Sequence, residues 1–340
     1  MPRRRSMLEA LGGEAGCKRL AADFYARVGK DAVLRPLFPG KSLRCAIEEF
    51  GAFLIQFLGG DEDHTQYRWW LSLRESHARF RITAGQRSAW LGHMTATLEA
   101  AQLDETSRKA LGQFFLQSSA YVIGKDSAAP EHEELATRWS EQLTLDGAVA
   151  AIAAGRDEEA LALAPRFAAR PAVFVGLLAR MMQSGREALV RFAVSAVEAN
   201  PALATRRHGG RALLHYAAGA GCLAVVDALL KGGSDPDILD AGGHTPLYRV
   251  ANECGAEAGP AIVRALVKAG ADVDACEGVT RATPLHMAAR RGFTGVAKAL
   301  LDCGAAMDAR DRKGVTPLGR AVNCRKEAAA QLLRDAGAER

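Results

Sequence analysis

The C-terminal part of the chain repeats itself. Four segments align: "RALLHYAAGAG" at 211–221, "HTPLYRVANECG" at 244–255, "ATPLHMAARRG" at 282–292 and "VTPLGRAVNCR" at 315–325. Counted from Ala212, Thr245, Thr283 and Thr316, the steps are 33, 38 and 33 residues. A period of this length means stacked supersecondary units, because one unit cannot bury its own apolar face and its neighbours must cover it. Three of the units open on Thr-Pro. The threonine caps exposed helix amides, and the proline takes a position whose N–H has no helical partner. Each unit continues with a second apolar stretch, such as "AVVDALLKGG" or "GVAKALLDCG", that ends on glycine as a left-handed stop. The long step reads as 33 plus an insertion of five in "NECGAEAGPA", where a Gly/Pro-rich loop lengthens the turn between two helices.

This pattern resembles the ankyrin repeat over residues 206–340, in about four units. It departs from that pattern at Ala212-Leu213, where Thr-Pro is usual, and at Gly319, where histidine is usual. His215 and His286 stand in the repeat opening and read as hydrogen-bonding structural residues. The resemblance implies a helical solenoid that binds a protein partner, unidentified by the sequence, through its concave face and loop tips. The Ala-rich stretch 128–205, punctuated by Pro165, Pro171 and Pro201, reads as a helical linker of degenerate ankyrin-like helices. A repeat stack needs such a cap over its first apolar face.

Composition narrows the setting. A net charge of +5 over 340 residues is too small and too dispersed to argue for nucleic acid, and Arg3-Arg4-Arg5 reads as a solvated tail. Seven cysteines without a C-x-x-C pair suit a reducing compartment. No signal peptide and no apolar run of membrane-spanning length is seen, so the expectation is a soluble, cytoplasmic protein with no membrane partner.

Residues 1–127 read as a separate all-α domain. Helices are expected near 14–28, 43–58, 84–101 and 104–124. The clearest is "LRCAIEEFGAFLIQFL", where Leu43, Ile47, Phe50, Leu54, Phe57 and Leu58 recur at steps of three and four. Gly12-Gly13 and Gly59-Gly60 mark helix junctions. Most of the chain's phenylalanines and tryptophans fall here. The segments "ADFYARVGKDAVLRPLFPG" (22–40), "LGG" (58–60), "RESHARFRI" (74–82) and "SAWLGHM" (88–94) together are similar to the truncated haemoglobins of the second group, a two-over-two helical globin fold.

That resemblance implies haem b and its iron as cofactor. It places His77 at the iron ligand, Tyr25, Phe38, Ala46, Phe50 and Trp90 on the distal side, and Phe38, Ala46, Phe50, Phe53, Arg74, His77, Phe80 and Trp90 around the cofactor. Phe57 and Met94 could add to an apolar slot. Arg74, Arg79 and Tyr67 are candidate partners for the haem propionates, and His64 and His93 do not follow the pattern as His77 does. Trp69-Trp70 departs from the family's loop and suggests a docking place. A lone neutral imidazole leaves iron able to take a gas such as O2, NO or CO. The expected function is reversible gas binding, with the repeats tethering the globin to a partner or reporting to it. Two alternatives stand beside it: a haem enzyme, NO dioxygenase or peroxidase-like, served by an external reductase, and a cofactor-free ankyrin scaffold.

Overall fold

The computed structural model describes residues 5–38, 40, 42–60, 72–78, 80–125, 128–255 and 257–338. Arg3, Arg4, His64, Tyr67, Trp69, Trp70 and Arg79 lie outside the described residues. The chain forms two compact units, Met1–Ala151 and Ile152–Arg340.

Among its described residues the first unit has helices and no strand. It contains α1 (Met7–Ala10), α2 (Gly13–Val28), α3 (Arg44–Phe57), α4 (Leu73–His77), α5 (Ala84–Ala100), α6 (Glu105–Val122) and most of α7 (Glu133–Ala154). α2 packs on α3 and on α5, and α5 packs on α6. The core is Leu20, Phe24, Leu54, Leu58, Met94, Leu98, Leu111 and Phe114 with Trp139 from α7. Trp139 meets Phe114 and Tyr121 edge-on, with ring centroids 5.9 and 5.3 Å away. Helix starts follow the sequence: Thr83 and Asp104 cap α5 and α6 through bonds from the amides of Gln86 and Ser107. The Gly59-Gly60 junction ends α3 as expected. Gly59 takes φ +83°, and the Gly60 N–H donates back to the Ile55 carbonyl at 2.8 Å. A Cβ on Gly59 would also run into the Arg138 guanidinium.

The α3 stripe divides in two. Leu54, Ile55, Phe57 and Leu58 are buried in the core, whereas Ala46, Ile47, Phe50 and Phe53 are only half-buried. This N-terminal half is the part of the helix that borders the candidate site.

The second unit opens with α8 (Asp157–Leu163), α9 (Pro171–Gln183) and α10 (Glu187–Ala199) and a two-stranded antiparallel ribbon, β1 (Arg207–His208) with β2 (Arg211–Ala212). Four helix pairs follow: α11 (Leu213–Ala220) and α12 (Leu223–Lys231), α13 (Pro246–Glu253) and α14 (Gly259–Lys268), α15 (Pro284–Arg291) and α16 (Thr294–Asp302), α17 (Pro317–Asn323) and α18 (Glu327–Asp335). First helices stack in one row, α9 on α11 on α13 on α15 on α17, and second helices in another, α10 on α12 on α14 on α16 on α18.

Thr245, Thr283 and Thr316 cap their helices as expected; Ala212 gives no side-chain cap. His215 Nε2 donates to the His244 carbonyl and His286 Nε2 to the Val315 carbonyl, both at 2.9 Å, so each ring ties its repeat to the next.

The extra residues of the long step are not confined to one place. α13 ends at Glu253 and α14 starts at Gly259, against Arg291 and Thr294 in the following pair, so part of the insertion does lengthen the inter-helix turn. The remainder lengthens α14 and the turn after it. That turn closes from the Glu277 amide to the Ala282 carbonyl, whereas its neighbours close from Asp240 to His244 and from Asp311 to Val315. Arg281 absorbs the added residue at φ +55°. Glu277, one methylene longer than aspartate, reaches across the larger loop to the amides of Val279 and Thr280 at 2.8 and 2.6 Å.

Two expected results follow. Burial pushes the His215 ring down to about 4 and lowers His286 as well. Their folded pKa values thus lie below that of the unfolded chain, which takes up protons the native rings refuse as pH falls below 6.5. Stability is therefore lost on acidification from pH 6.5 towards 4, with His215 alone costing about 2 kcal/mol by pH 5. Urea melts at pH 7 and pH 5 check this; an unchanged midpoint for the second unit contradicts it. Arg325 takes φ +54° at the helix end where two of the other three repeats carry Gly221 and Gly292, at φ +78° and +79°. Arg325→Gly relieves that conformation and should stabilise the unit by up to ~1 kcal/mol, read from the same melts.

Candidate functional site

The site is built around α4, a short helix that Ser72 starts by accepting the Glu75 amide at 3.1 Å. His77 is its last residue. Its Nδ1 lies 2.8 Å from the Leu73 carbonyl and 2.8 Å from Ser76 Oγ, and the Ser76 hydroxyl donates to the same carbonyl at 2.8 Å. A carbonyl only accepts, so Nδ1 carries the proton and Nε2 carries the ring's lone pair. That is the tautomer of a metal-ligating imidazole oriented by its second nitrogen.

A chain of aromatic rings leads away from His77. Phe80 lies 6.4 Å from it, Phe38 6.2 Å from Phe80, Tyr25 5.5 Å from Phe38 and Phe50 6.2 Å from Tyr25. Phe115, 6.1 Å from Phe50, leads on to Trp90 at 5.8 Å. Tyr25, Phe38, Phe50, Phe53, Phe80 and Trp90 are all half-buried, unlike the sealed core rings Phe24 and Phe114. A single imidazole among half-covered aromatic faces fits a broad, flat, apolar cofactor such as haem. Of the other sequence candidates, Ala46 lies one turn before Phe50 on α3. Phe53 stacks on Phe57 at 5.6 Å, while Phe57 and Met94 belong to the sealed core.

Burial, and then the charge of Glu49, push the Tyr25 phenol up from its ordinary value, so it keeps its O–H proton at neutral pH. Phe38 sits on a braced segment. Asp31 accepts the Val33 and Leu34 amides at 2.8 and 2.7 Å, and the Arg35 guanidinium holds the carbonyls of Phe38 and Gly40. His93, three residues after Trp90, locks that brace to α5 through Asp31 at 2.7 Å. Its hydrogen bond, followed by the Leu34 amide, holds the Asp31 carboxyl below the usual range. Arg74 is exposed and lies over the Tyr121 ring, 4.0 Å from its centroid, with Nε 3.4 Å from the Tyr121 carbonyl.

Sequence reasoning missed Asp146. This α7 residue is 4% exposed and sits against α4. Its carboxylate accepts the Leu73 amide at 3.0 Å, the Arg74 amide at 3.3 Å, the Tyr121 hydroxyl at 2.9 Å and the Gln142 side-chain amide at 2.8 Å. The one available signal was a lone acid inside "LTLDGAVAAIAA", since a buried carboxylate must be partnered.

A small helical unit that presents one oriented imidazole among half-covered aromatics, followed by a stack of helix pairs, defines a globin-like protein with a repeat array. A family model described as bacterial-like globin matches residues 6–119, and one described as ankyrin repeats (3 copies) matches 178–275 and 254–339. The group 2 truncated hemoglobin YjbI of Bacillus subtilis (strain 168) is 33% identical over 103 residues, 30% of this chain and 76% of that protein. Group 2 truncated hemoglobin 3-1 of Lotus japonicus is 27% identical over 107 residues, 31% of this chain and 64% of the relative. The human ankyrin repeat and SOCS box protein 16 is 35% identical over 141 residues, 39% of this chain but 30% of its own length, so only a part of that relative is represented. The chain belongs to the group 2 truncated haemoglobins through its N-terminal part, and it carries ankyrin repeats in its C-terminal part.

Proposed function

We propose that the first unit binds haem b through His77 and takes up a diatomic gas, O2, NO or CO, while the repeats hold a protein partner. Bound haem supplies an iron atom that accepts such a gas. The observation that carries this reading is the hydrogen bond from His77 Nδ1 to the Leu73 carbonyl, which supports a tautomer whose Nε2 lone pair is the one the ring can offer a metal. Phe38, Phe53 and Phe80, with Ala46 and Phe50 on α3, offer apolar contact to the cofactor, and Arg74 is the candidate cation for its propionates. Neither Ala46 nor Phe50 carries a ligating atom. Tyr25 and Trp90 supply an O–H and an indole N–H, each worth about 1 kcal/mol as a donor to a polar gas in a dry pocket. A peroxidase-like role would ask a distal group to accept a proton, and the raised phenol of Tyr25 works against that.

Protein binding by the second unit is supported by its turn tips. Leu239 and Val279 lie on successive turns, 52% and 66% exposed. Among the described residues no two cysteines form a disulfide, in keeping with the cytoplasmic setting the sequence suggests, and no helix is long and apolar enough to cross a membrane. The test is the absorption spectrum of the full chain purified with haem supplied during expression. A Soret band that shifts on addition of CO is expected; a colourless protein after reconstitution would refute the reading.

A further inference from the structure

We infer that Asp146, a residue outside the globin match, is a positioning residue that tunes the electron-donating strength of His77 through one peptide group. This rests on the reading of His77 as the haem ligand.

The geometry is a relay. The Arg74 N–H and the Leu73 C=O belong to the same peptide unit. Its N–H points to the Asp146 carboxylate at 3.3 Å, and its C=O accepts the His77 Nδ1 proton at 2.8 Å. A negative charge at the N–H end of an amide polarises it and makes its carbonyl a stronger acceptor, because hydrogen bonds in a chain reinforce one another where the surroundings are dry. A stronger pull on the Nδ1 proton raises the basicity of Nε2, as it does in the carboxylate–histidine pairs of metal sites. Here the carboxylate acts one peptide away.

Asp146 also fixes the ring's orientation. It accepts the Leu73 amide at 3.0 Å, so one side chain holds the first two amides of α4, which would otherwise lack helical partners. Its remaining contacts, the Tyr121 hydroxyl and Gln142, are neutral donors that share its charge without cancelling it. Burial and that carboxylate raise the Tyr121 phenol, which therefore stays a donor at neutral pH. α7 lies beyond residue 119, where the globin match ends, so this chain completes its proximal side with a helix outside the matched core.

The test uses the full chain as wild type, Asp146→Asn and Tyr121→Phe. In haem-free protein, the NMR signal of the His77 Nδ1 proton is expected to move upfield in Asp146→Asn, because its acceptor weakens. In haem-loaded ferrous protein, the iron–histidine stretching band should fall in frequency and the reduction potential should rise. Tyr121→Phe removes one neutral donor, concentrates the carboxylate's charge on the helix amides and should move the same signals the other way, which keeps the test decisive if Asp146→Asn folds poorly. An unmoved Nδ1 proton in both variants, with helicity intact, overturns the relay while leaving haem binding by His77 untouched. Failure of the wild type to bind haem would refute the cofactor reading instead, and the haem-free signal would still judge the relay.

Discussion

Replacing His77 with alanine should remove most of the haem from the purified chain, with affinity falling roughly 100-fold or more. Weakening even an outer partner of a metal ligand commonly costs 10- to 100-fold, and this change deletes the ligand itself. The Soret band should fall to a small fraction of its wild-type absorbance per protein, and added imidazole should restore part of it by occupying the space of the lost ring. His93→Ala is the internal control. That histidine is engaged with Asp31 at 2.7 Å and acts on the Phe38 segment only indirectly, so its loss should lower the haem content far less than the loss of His77. If His77→Ala keeps its colour and CO response while His93→Ala loses them, the ligand has been misassigned.

The second large effect is expected at Asp240. Its carboxylate is buried at 6% exposure, accepts the amides of Gly242 and His244 at 2.8 and 3.0 Å, and pairs with the Arg249 guanidinium. Burial alone would raise this carboxyl, but hydrogen bonds from His244 and Arg249 outweigh it and hold it far below the usual range. Asp240→Ala leaves Arg249 buried without its main counter-ion and two turn amides without acceptors. Such a loss costs about 3–5 kcal/mol, enough to unfold the neighbouring pairs under mild denaturant. Chemical denaturation of the second unit reads this, and a cost under ~1 kcal/mol would show that the turn is held by other means. The folded-state pKa is depressed, so the pair's contribution is present at neutral pH and is lost only as strong acid protonates the carboxylate.

How much of this was legible in the residues differs between the two units. The repeat array announced itself because the same physical requirements recur with the repeat, in full in three of the four units. Thr245, Thr283 and Thr316 cap, Pro246, Pro284 and Pro317 follow, and each requirement has its own residue type. Less visible were Asp240 with Arg249 and Asp311 with Arg320, nine residues apart in both cases, because a carboxylate and a guanidinium at that spacing read as solvated charges until the turn folds back. In the first unit, helix positions followed from apolar periodicity. The half-buried state of Phe50 and Phe53 did not, since a stripe shows which face is apolar and not what covers it. Asp146 escaped because its role depends on α7 coming to lie against α4, a contact between residues more than seventy positions apart.

The turns of the array are laced together at their tips. The Ala241 N–H donates to the Gly210 carbonyl at 2.8 Å, the Arg312 N–H to the Thr280 carbonyl at 2.7 Å, and the Asp272 amide to Asp237 at 2.9 Å. Neighbouring teeth of this comb thus keep a set pitch, and the longer Glu277 turn makes one tooth unlike the rest. A macromolecule that gripped that edge would meet a ruler already cut, and little of its binding free energy would be spent on freezing loose ends.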